Sequence, residues 1–254
     1  MKHADTNQKH QFALYVPNLG SLTAGLSKSQ SFTIADKDFV HRIMAILRLS
    51  VGQSLMVFDQ KVQLIVSIVA TQKNKSVQMR IDEKKNNRIL ELDIIFLLPL
   101  LKKESLETAL YSLTEIGATK IQLVITQKSQ QRWTPKEQER AQKIIIAAAE
   151  QSKNFAFPHL IAPIELNSVI PQLESDTFKI FFDPAGVPLS ECLGEVQSIK
   201  PKCIALAIGP EGDLTVAEKE LLMKKGFSFC ALTPTVLRAC QAAALSTGII
   251  RSII

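Results

Sequence analysis

Residues 203–218 read CIALAIGPEGDLTVAE, and this stretch indicates the fold class. An apolar, β-prone run ends at Ile208 and continues into a turn that contains two glycines. Thr215 and Glu218 then have the spacing of a capping box, in which each side chain bonds to the other residue's backbone amide at the start of a helix. The stretch therefore predicts a buried strand, a tight turn and a capped helix, which is the repeating unit of a parallel α/β sheet.

The same rhythm extends over residues 92–254 and predicts a mostly parallel sheet with helices on both faces. The predicted strands are Leu92–Leu98, Lys120–Thr126, Phe178–Phe182, Cys203–Ile208 and Phe227–Leu232. The predicted helices are Glu104–Ile116, which stops at Gly117, Thr134–Ser152 with a capping box to Glu137, Thr215–Gly226 and Val236–Ile253.

The N-terminal part has a different pattern, which predicts a small β-barrel with one helix over residues 1–82. Its short β-prone runs are Ser54–Phe58, Gln63–Val69 and Ser76–Ile81. Asp36 is the expected cap of the helix, whose apolar face would hold Phe39, Ile43, Ile46 and Leu47. The polar residues 83–91 are predicted to be a linker, followed by the second domain at 92–254.

Composition narrows the possible partners without selecting one. Lys and Arg outnumber Asp and Glu by 30 to 24, a net charge of +6 that permits a polyanionic partner but does not demand one. The four cysteines form no C-x-x-C pair and predict reduced thiols rather than a metal site. Residues 1–10 have no secretory signal pattern, and no apolar run is long enough for a membrane span. We therefore expect a cytoplasmic protein with no metal.

Ligands of open parallel sheets bind at the carboxyl ends of the strands, and three predicted strand ends are chemically suggestive. They are Gly209–Asp213, Asp183–Gly186 and Thr233–Arg238. Each pattern taken alone is also compatible with an ordinary turn. Arg238 is predicted to lie in the first turn of the last helix, where the helix dipole disfavours a cation, and this favours a functional reason for the arginine.

Two of these segments carry a resemblance to a known family. Ile208-Gly-Pro-Glu-Gly212, Glu218, and Val236-Leu-Arg238 before an alanine-rich helix resemble the SPOUT methyltransferases. More narrowly, the chain is similar to the RsmE family, which methylates N3 of a uridine in small-subunit 16S ribosomal RNA. The matching segments elsewhere are His41–Arg48, Gly52, Val57–Asp59, Thr114–Gly117 and Ile146–Gln151.

The resemblance implies a C-terminal trefoil-knotted domain, an N-terminal PUA-like barrel, a homodimer, S-adenosyl-L-methionine as cofactor, and ribosomal RNA within the small subunit as substrate. Arg238 matches the family's Leu-Arg position and is the candidate catalytic residue, which would stabilise the negative charge that develops on the uracil oxygens during methyl transfer. The residues expected to bind the cofactor are Phe182, Asp183, Pro184, Ile208, Gly209, Pro210, Glu211, Gly212, Leu232, Val236, Leu237 and Ala242. The residues expected to contact RNA are Arg42, Arg48, Lys73, Lys75, Arg80 and Lys128.

The chain departs from the family pattern at several positions. Asp213 replaces the last glycine of Gly-Pro-Glu-Gly-Gly, and Cys240 replaces a glutamate after the Leu-Arg pair. These departures leave two alternatives open: methylation of another nucleotide position, and an RNA-binding protein that has lost catalysis. The further departures are Ala239, Gln241, Thr233, Thr235, Ser112 and Lys128.

Overall fold

A computed structural model describes residues 11–72, 75–129 and 132–253 of the chain. The chain divides into two compact units, Met1–Ile89 and Leu90–Ile254. In the described ranges no helix is both long enough and apolar enough to cross a membrane.

The first unit contains a five-stranded sheet with the order β1-β3-β4-β5-β2. β1 pairs with β3 in parallel, and the other neighbouring strands are antiparallel. The three predicted strands are confirmed, although β4 and β5 are longer than predicted. The elements are β1 (Ala13–Tyr15), α1 (Leu19–Leu22), β2 (Ser31–Ile34), α2 (Lys37–His41), a π-helical turn (Arg42–Ile46), β3 (Ser54–Phe58), β4 (Val62–Gln72) and β5 (Ser76–Asn86).

The helix of the first unit begins as predicted and then changes its geometry. The Asp36 carboxylate accepts a hydrogen bond from the Phe39 amide at 2.8 Å, so the predicted cap is confirmed. The Leu47 amide then bonds to the Arg42 carbonyl at 2.8 Å, five residues back, which is the π-helical pattern. This wider turn shifts the faces of the helix. The prediction that Ile46 lies on the apolar face is therefore wrong, because its side chain is 61% exposed.

The predicted linker at 83–91 begins later than the sequence indicated. Residues 83–86 continue β5 and pair with Val62–Ile65 of β4. Their charged side chains reflect exposure of this end of the strand rather than a break in backbone pairing.

The second unit is a six-stranded sheet, and all of its strand pairs are parallel, as predicted. The strand order is β11-β9-β10-β6-β7-β8. The strands are β6 (Asp93–Pro99), β7 (Lys120–Ile125), β8 (His159–Glu165), β9 (Phe178–Pro188), β10 (Cys203–Ile208) and β11 (Ser228–Ala231). The helices are α3 (Lys103–Ile116), α4 (Pro135–Ser152), α5 (Leu166–Val169), α6 (Leu189–Ile199), α7 (Val216–Lys224) and α8 (Ala239–Ser252), with a 3₁₀ turn at Ile170–Gln172.

Local end signals fix several of these helices. Gly117 ends α3 in the left-handed conformation with φ 99°. Both predicted capping boxes are present, at Thr134–Glu137 and at Thr215–Glu218. These signals act within one helical turn, so the sequence alone is enough to place them.

The sequence analysis missed β8 and α6. β8 is the last strand of the sheet and contains Pro163, which an edge strand tolerates because one row of its amides needs no ladder partner. α6 contains Gly194, a weak helix former, and its buried side chains are only Leu189, Cys192 and Val196. Both elements depend on packing more than on local pattern.

Candidate functional site

A bulge within β9 and the loops that follow β10 and β11 surround one cavity of about 640 Å³, and we refer to these three segments as its loops. They meet because these three parallel strands are neighbours in the sheet and end at the same edge. Of the residues predicted to bind cofactor, the structure brings to this cavity Phe182, Asp183, Pro184, Ile208, Gly209, Pro210, Glu211, Leu232, Val236, Leu237 and Ala242, together with Arg238. We refer to it as the three-loop cavity.

Gly212 is the exception among the predicted residues. It lines a second cavity of about 690 Å³ instead, together with residues that follow β6 and β7. The sequence analysis also missed lining residues of the three-loop cavity. Lys102 and Ser105 follow β6, and they reach this cavity because β6 lies next to β10 in the sheet. The order of the strands cannot be read from a single sequence, so their place in the cavity was not predicted. The other residues missed are Asp213, Thr233, Thr235 and Ala239.

The first loop is a bulge within β9 rather than the turn predicted at Asp183–Gly186. β11 pairs with β9 at Phe181 and next at Val187, so residues 182–186 of β9 have no partner in β11. The Asp183 carboxylate accepts a hydrogen bond from the Ala185 amide at 2.9 Å and stabilises the bulge. A Cβ on Gly186 would lie 2.6 Å from backbone atoms of β11, so this approach requires glycine.

The second loop contains a backbone conformation that explains a departure from the family pattern. Asp213 has φ 59°, in the left-handed region that favours glycine. Aspartate is one of the residues that tolerate this region, because its short side chain bonds to nearby backbone. The Asp213 carboxylate accepts from the Leu214 amide at 2.7 Å, and the Asp213 amide donates to the Pro210 carbonyl at 2.9 Å. Asp213 therefore keeps the turn without the glycine.

Lys219 of α7 joins the first two loops through two ion pairs. Its ammonium lies 2.6 Å from the Asp183 carboxylate and 2.7 Å from the Asp213 carboxylate. Burial alone would raise the pKa of Asp183, but the Lys219 and Ala185 hydrogen bonds and the Lys219 charge outweigh it and lower that pKa. Burial likewise opposes the charge of Lys219, yet the two carboxylates raise its pKa. Asp183 and Lys219 are therefore both ionised at neutral pH.

Two glutamates hold the second loop against the loops that follow β6 and β7. The Glu211 carboxylate accepts from the Lys102 amide at 3.0 Å. The buried Glu218 carboxylate accepts from the Gln127 amide and from the Thr215 amide, each at 2.8 Å. Both carboxylates accept hydrogen bonds from backbone amides, and these bonds hold the second loop against the neighbouring loops.

Arg238 lies at the wall of the three-loop cavity, but not where the sequence placed it. α8 begins at Ala239, so Arg238 is the N-cap residue, with extended backbone, rather than a residue of the first turn. The predicted start at Val236 is wrong, because the chain is still bent before that residue: the Thr233 hydroxyl donates to the Thr235 carbonyl at 2.6 Å, and helical backbone begins only after Arg238. The exposed side chain of Arg238 still faces the positive end of the helix dipole.

The residues predicted to contact RNA lie in both units. In the first unit, Arg42 starts the π-helical turn and is half-buried, and Arg48 lies just beyond that turn with φ 52°. Lys75 is exposed next to β5, and Arg80 on β5 pairs with Asp82 at 3.2 Å. In the second unit, the Lys128 ammonium donates to the Gly212 carbonyl at 2.7 Å. Lys73 lies outside the described residues.

A parallel sheet whose strand-end loops enclose a cavity of this size defines an α/β protein that binds a small molecule at its strand ends. Residues 86–251 match the RNA methyltransferase domain family, and the chain belongs to that family.

Curated relatives extend the similarity over most of the chain. It is 27% identical to the "Ribosomal RNA small subunit methyltransferase E" of Synechocystis sp. over 85% of this chain and 71% of that protein. It is 23% identical to the protein of the same name from Rickettsia conorii, over 91% of this chain and 93% of the relative.

Solved structures show the same fold. A putative methyltransferase from Legionella pneumophila, solved with the bound cofactor SAM, is 25% identical, with a TM-score of 0.83 over 96% of this chain and 98% of that one. The ribosomal RNA small subunit methyltransferase E of Neisseria gonorrhoeae, bound to S-adenosyl methionine, is 21% identical, with a TM-score of 0.84 over 96% and 98% of the two chains.

Proposed function

We propose that this chain transfers a methyl group from S-adenosyl-L-methionine to N3 of a uridine in small-subunit 16S ribosomal RNA. The observation that carries the proposal is the three-loop cavity, which unites all of the predicted cofactor residues except Gly212 and has Arg238 at its wall. The names of the curated relatives support the ribosomal RNA substrate, and the bound cofactor of the Legionella structure supports the choice of cofactor.

The residues of the cavity fit this cofactor. Its volume of about 640 Å³ lies within the usual range for sites of drug-sized ligands, which is roughly 300–1,000 Å³. Apolar side chains such as Phe182, Ile208 and Leu232 suit the faces of an adenine ring. The cofactor, when bound, supplies an activated methyl group on a sulfonium centre.

The chain's own contribution to catalysis is to hold the acceptor and to stabilise charge on it. Uracil N3 must lose its proton before or during methyl transfer, and negative charge then develops on the uracil oxygens. The Arg238 guanidinium is the cation proposed to stabilise this charge, as fixed donors do in an oxyanion hole. Glu211 and Glu218 already bind backbone amides, so we assign the general-base role to neither.

The remaining parts of the proposal concern architecture and assembly. The first unit, predicted as residues 1–82 and continuing through the end of β5, is proposed to be a PUA-like barrel that binds the RNA backbone through Arg42, Arg48, Lys73, Lys75 and Arg80, with Lys128 adding a contact from the second unit. Residues 92–254 are proposed to follow a trefoil-knotted path, and the chain to act as a homodimer on RNA within the small subunit. The five-stranded first sheet and the parallel second sheet support this organisation.

Single-turnover methylation of small ribosomal subunits with labelled cofactor tests the role of Arg238. Arg238→Ala should lower the rate on the order of 100-fold, the scale of losing one charge-stabilising donor. Arg238→Lys should recover only part of the rate, because an ammonium lacks the planar fork of guanidinium. Cofactor affinity, titrated in parallel, should change much less. An Ala variant with near wild-type rate would rule out this role.

Mass spectrometry of ribosomal RNA nucleosides separates the proposal from its two alternatives. RNA from a strain lacking this chain should lose 3-methyluridine, and the purified chain should restore it. Loss of a different modified nucleoside would indicate another target position. Because Cys240 replaces the family glutamate, a catalytically degenerate protein is the second alternative, and failure to bind the cofactor in calorimetry would support it.

A further inference from the structure

The second cavity adjoins the three-loop cavity at the same edge of the sheet. It is lined by residues that follow three neighbouring strands: Lys102 and Lys103 after β6, Gln127 and Lys128 after β7, and Glu211 and Gly212 after β10. We refer to it as the lysine cavity. Lys102 and Glu211 line both cavities, so the two spaces share a wall.

The lysine cavity is cationic. It has three lysines and one carboxylate, that of Glu211, which already accepts a hydrogen bond from the Lys102 amide. Lys102 is the N-cap of α3 and Lys103 is its first residue. The helix dipole disfavours a cation at this end of a helix and stabilises an anion there, so the backbone around Lys102 and Lys103 favours an anionic ligand.

The floor of the cavity differs from its rim. Leu100 and Leu101, at 4% and 0% exposed, are buried at its base, whereas Lys102, Lys103 and Lys128 are exposed. The surface that the cavity offers to a ligand is therefore mainly that of the exposed lysines and the polar residues beside them, which suits an anionic ligand. At about 690 Å³ the space holds far more than a lone phosphate ion.

We propose that the lysine cavity binds the acceptor nucleotide of single-stranded RNA, with Lys103 and Lys128 on the phosphodiester and the base beside the wall shared with the three-loop cavity. This inference rests on the proposed function and adds the place where the RNA enters the site. Single-stranded RNA fits because its unstacked bases are free to enter a pocket while its backbone stays at a cationic rim.

The test is the salt dependence of binding of the full chain to a fluorescein-labelled ten-residue oligouridylate, measured by fluorescence anisotropy. Each lysine–phosphate contact contributes about 0.7 to the slope of log K against log salt for single strands. Lys103→Gln should therefore lower the slope by about 0.7, and Lys103→Gln with Lys128→Gln by about 1.4. Lys103→Arg should keep the wild-type slope.

Lys202→Gln is the matched control. Lys202 is an exposed lysine of the same unit, but it precedes β10 and so lies at the opposite edge of the sheet. Its loss should leave the slope unchanged. Equal slopes for wild type and the double variant would overturn the proposal, as would an equal decrease in Lys202→Gln.

Two further measurements separate this inference from the proposed function. In methylation assays, Lys103→Gln should raise KM for RNA severalfold with kcat nearly unchanged, and calorimetry should give an unchanged affinity for S-adenosylmethionine. If wild type methylates uridine but its slope is insensitive to Lys103, the lysine cavity is wrong and the function stands. If wild type neither binds cofactor nor methylates RNA, the proposed function is wrong, whatever the slopes.

Discussion

Removal of the Lys219 ammonium tests whether burial decides the strength of the ion pairs that join two of the loops. In Lys219→Met, the carboxylate of Asp183, whose side chain is 7% exposed, loses the ammonium at 2.6 Å and keeps the hydrogen bond from the Ala185 amide. Breaking a buried pair costs about 3–5 kcal/mol, but Lys219 is 23% exposed and water replaces part of the loss, so we expect about 2–3 kcal/mol. The Asp213 side chain is 57% exposed, so the ion pair between Lys219 and Asp213 should contribute only about 0.2–1 kcal/mol.

Calorimetric unfolding at pH 7 measures this loss. For a unit of this size each kcal/mol lowers Tm by roughly 2–4 °C, so the combined loss of about 2–4 kcal/mol should lower the Tm of Lys219→Met by about 4–16 °C. Double-mutant cycles that combine Lys219→Met with Asp183→Asn or with Asp213→Asn measure the coupling energy of each ion pair separately. The control is Lys224→Met, which removes an exposed ammonium 3.9 Å from Glu220 and should change stability by less than about 0.5 kcal/mol. A coupling to Asp183 no larger than the coupling to Asp213 would refute the reasoning.

The same pair has a defined pH dependence. The folded-state pKa of Asp183 is lowered, so its contribution to stability is present above its unfolded-state pKa and disappears as pH falls through the folded-state value. The folded-state pKa of Lys219 is raised, so its contribution is present at neutral pH and disappears only as pH rises through that raised value. The Tm difference between wild type and Lys219→Met should therefore shrink below about pH 4.

Three other substitutions probe the site. Gly186→Ala should lower the stability of the protein in thermal unfolding by about 1–3 kcal/mol, because the new Cβ would lie 2.6 Å from the backbone of β11. The control Gly194→Ala, in α6, adds a Cβ that meets nothing within 4 Å and should not lower stability. Glu218→Gln should lower the free energy of unfolding in urea by about 1–3 kcal/mol, because the side-chain amide has one acceptor oxygen where the carboxylate uses two. The control Glu220→Gln, at the surface, should leave the free energy of unfolding nearly unchanged. In calorimetry, Gly209→Val should weaken cofactor binding far more than Gly212→Val. Gly209 lines the three-loop cavity and a Cβ there would lie 3.0 Å from the Asp213 carboxylate, whereas at Gly212 the nearest atom is a flexible lysine carbon at 3.4 Å. Equal cofactor affinities in the two variants would contradict this prediction.

The sequence by itself determined the features that depend on neighbouring residues. Capping boxes at Thr134 and Thr215, the stop at Gly117 and the alternation of strands with helices are set within a few residues, and the structure has all of them. Parallel pairing follows from that alternation, because a helix between two strands returns the chain to the starting edge. The sequence therefore placed the loops after β9, β10 and β11 at one edge of a parallel sheet.

Only the tertiary structure decided which loops lie next to one another and how each one bends. The strand order brings β6 beside β10, and so brings Lys102 to the three-loop cavity and creates the lysine cavity. The bulge of β9 lies where the backbone of β11 packs closely against Gly186. These features depend on contacts between residues far apart in the chain, and a local pattern in the sequence has no information about such contacts.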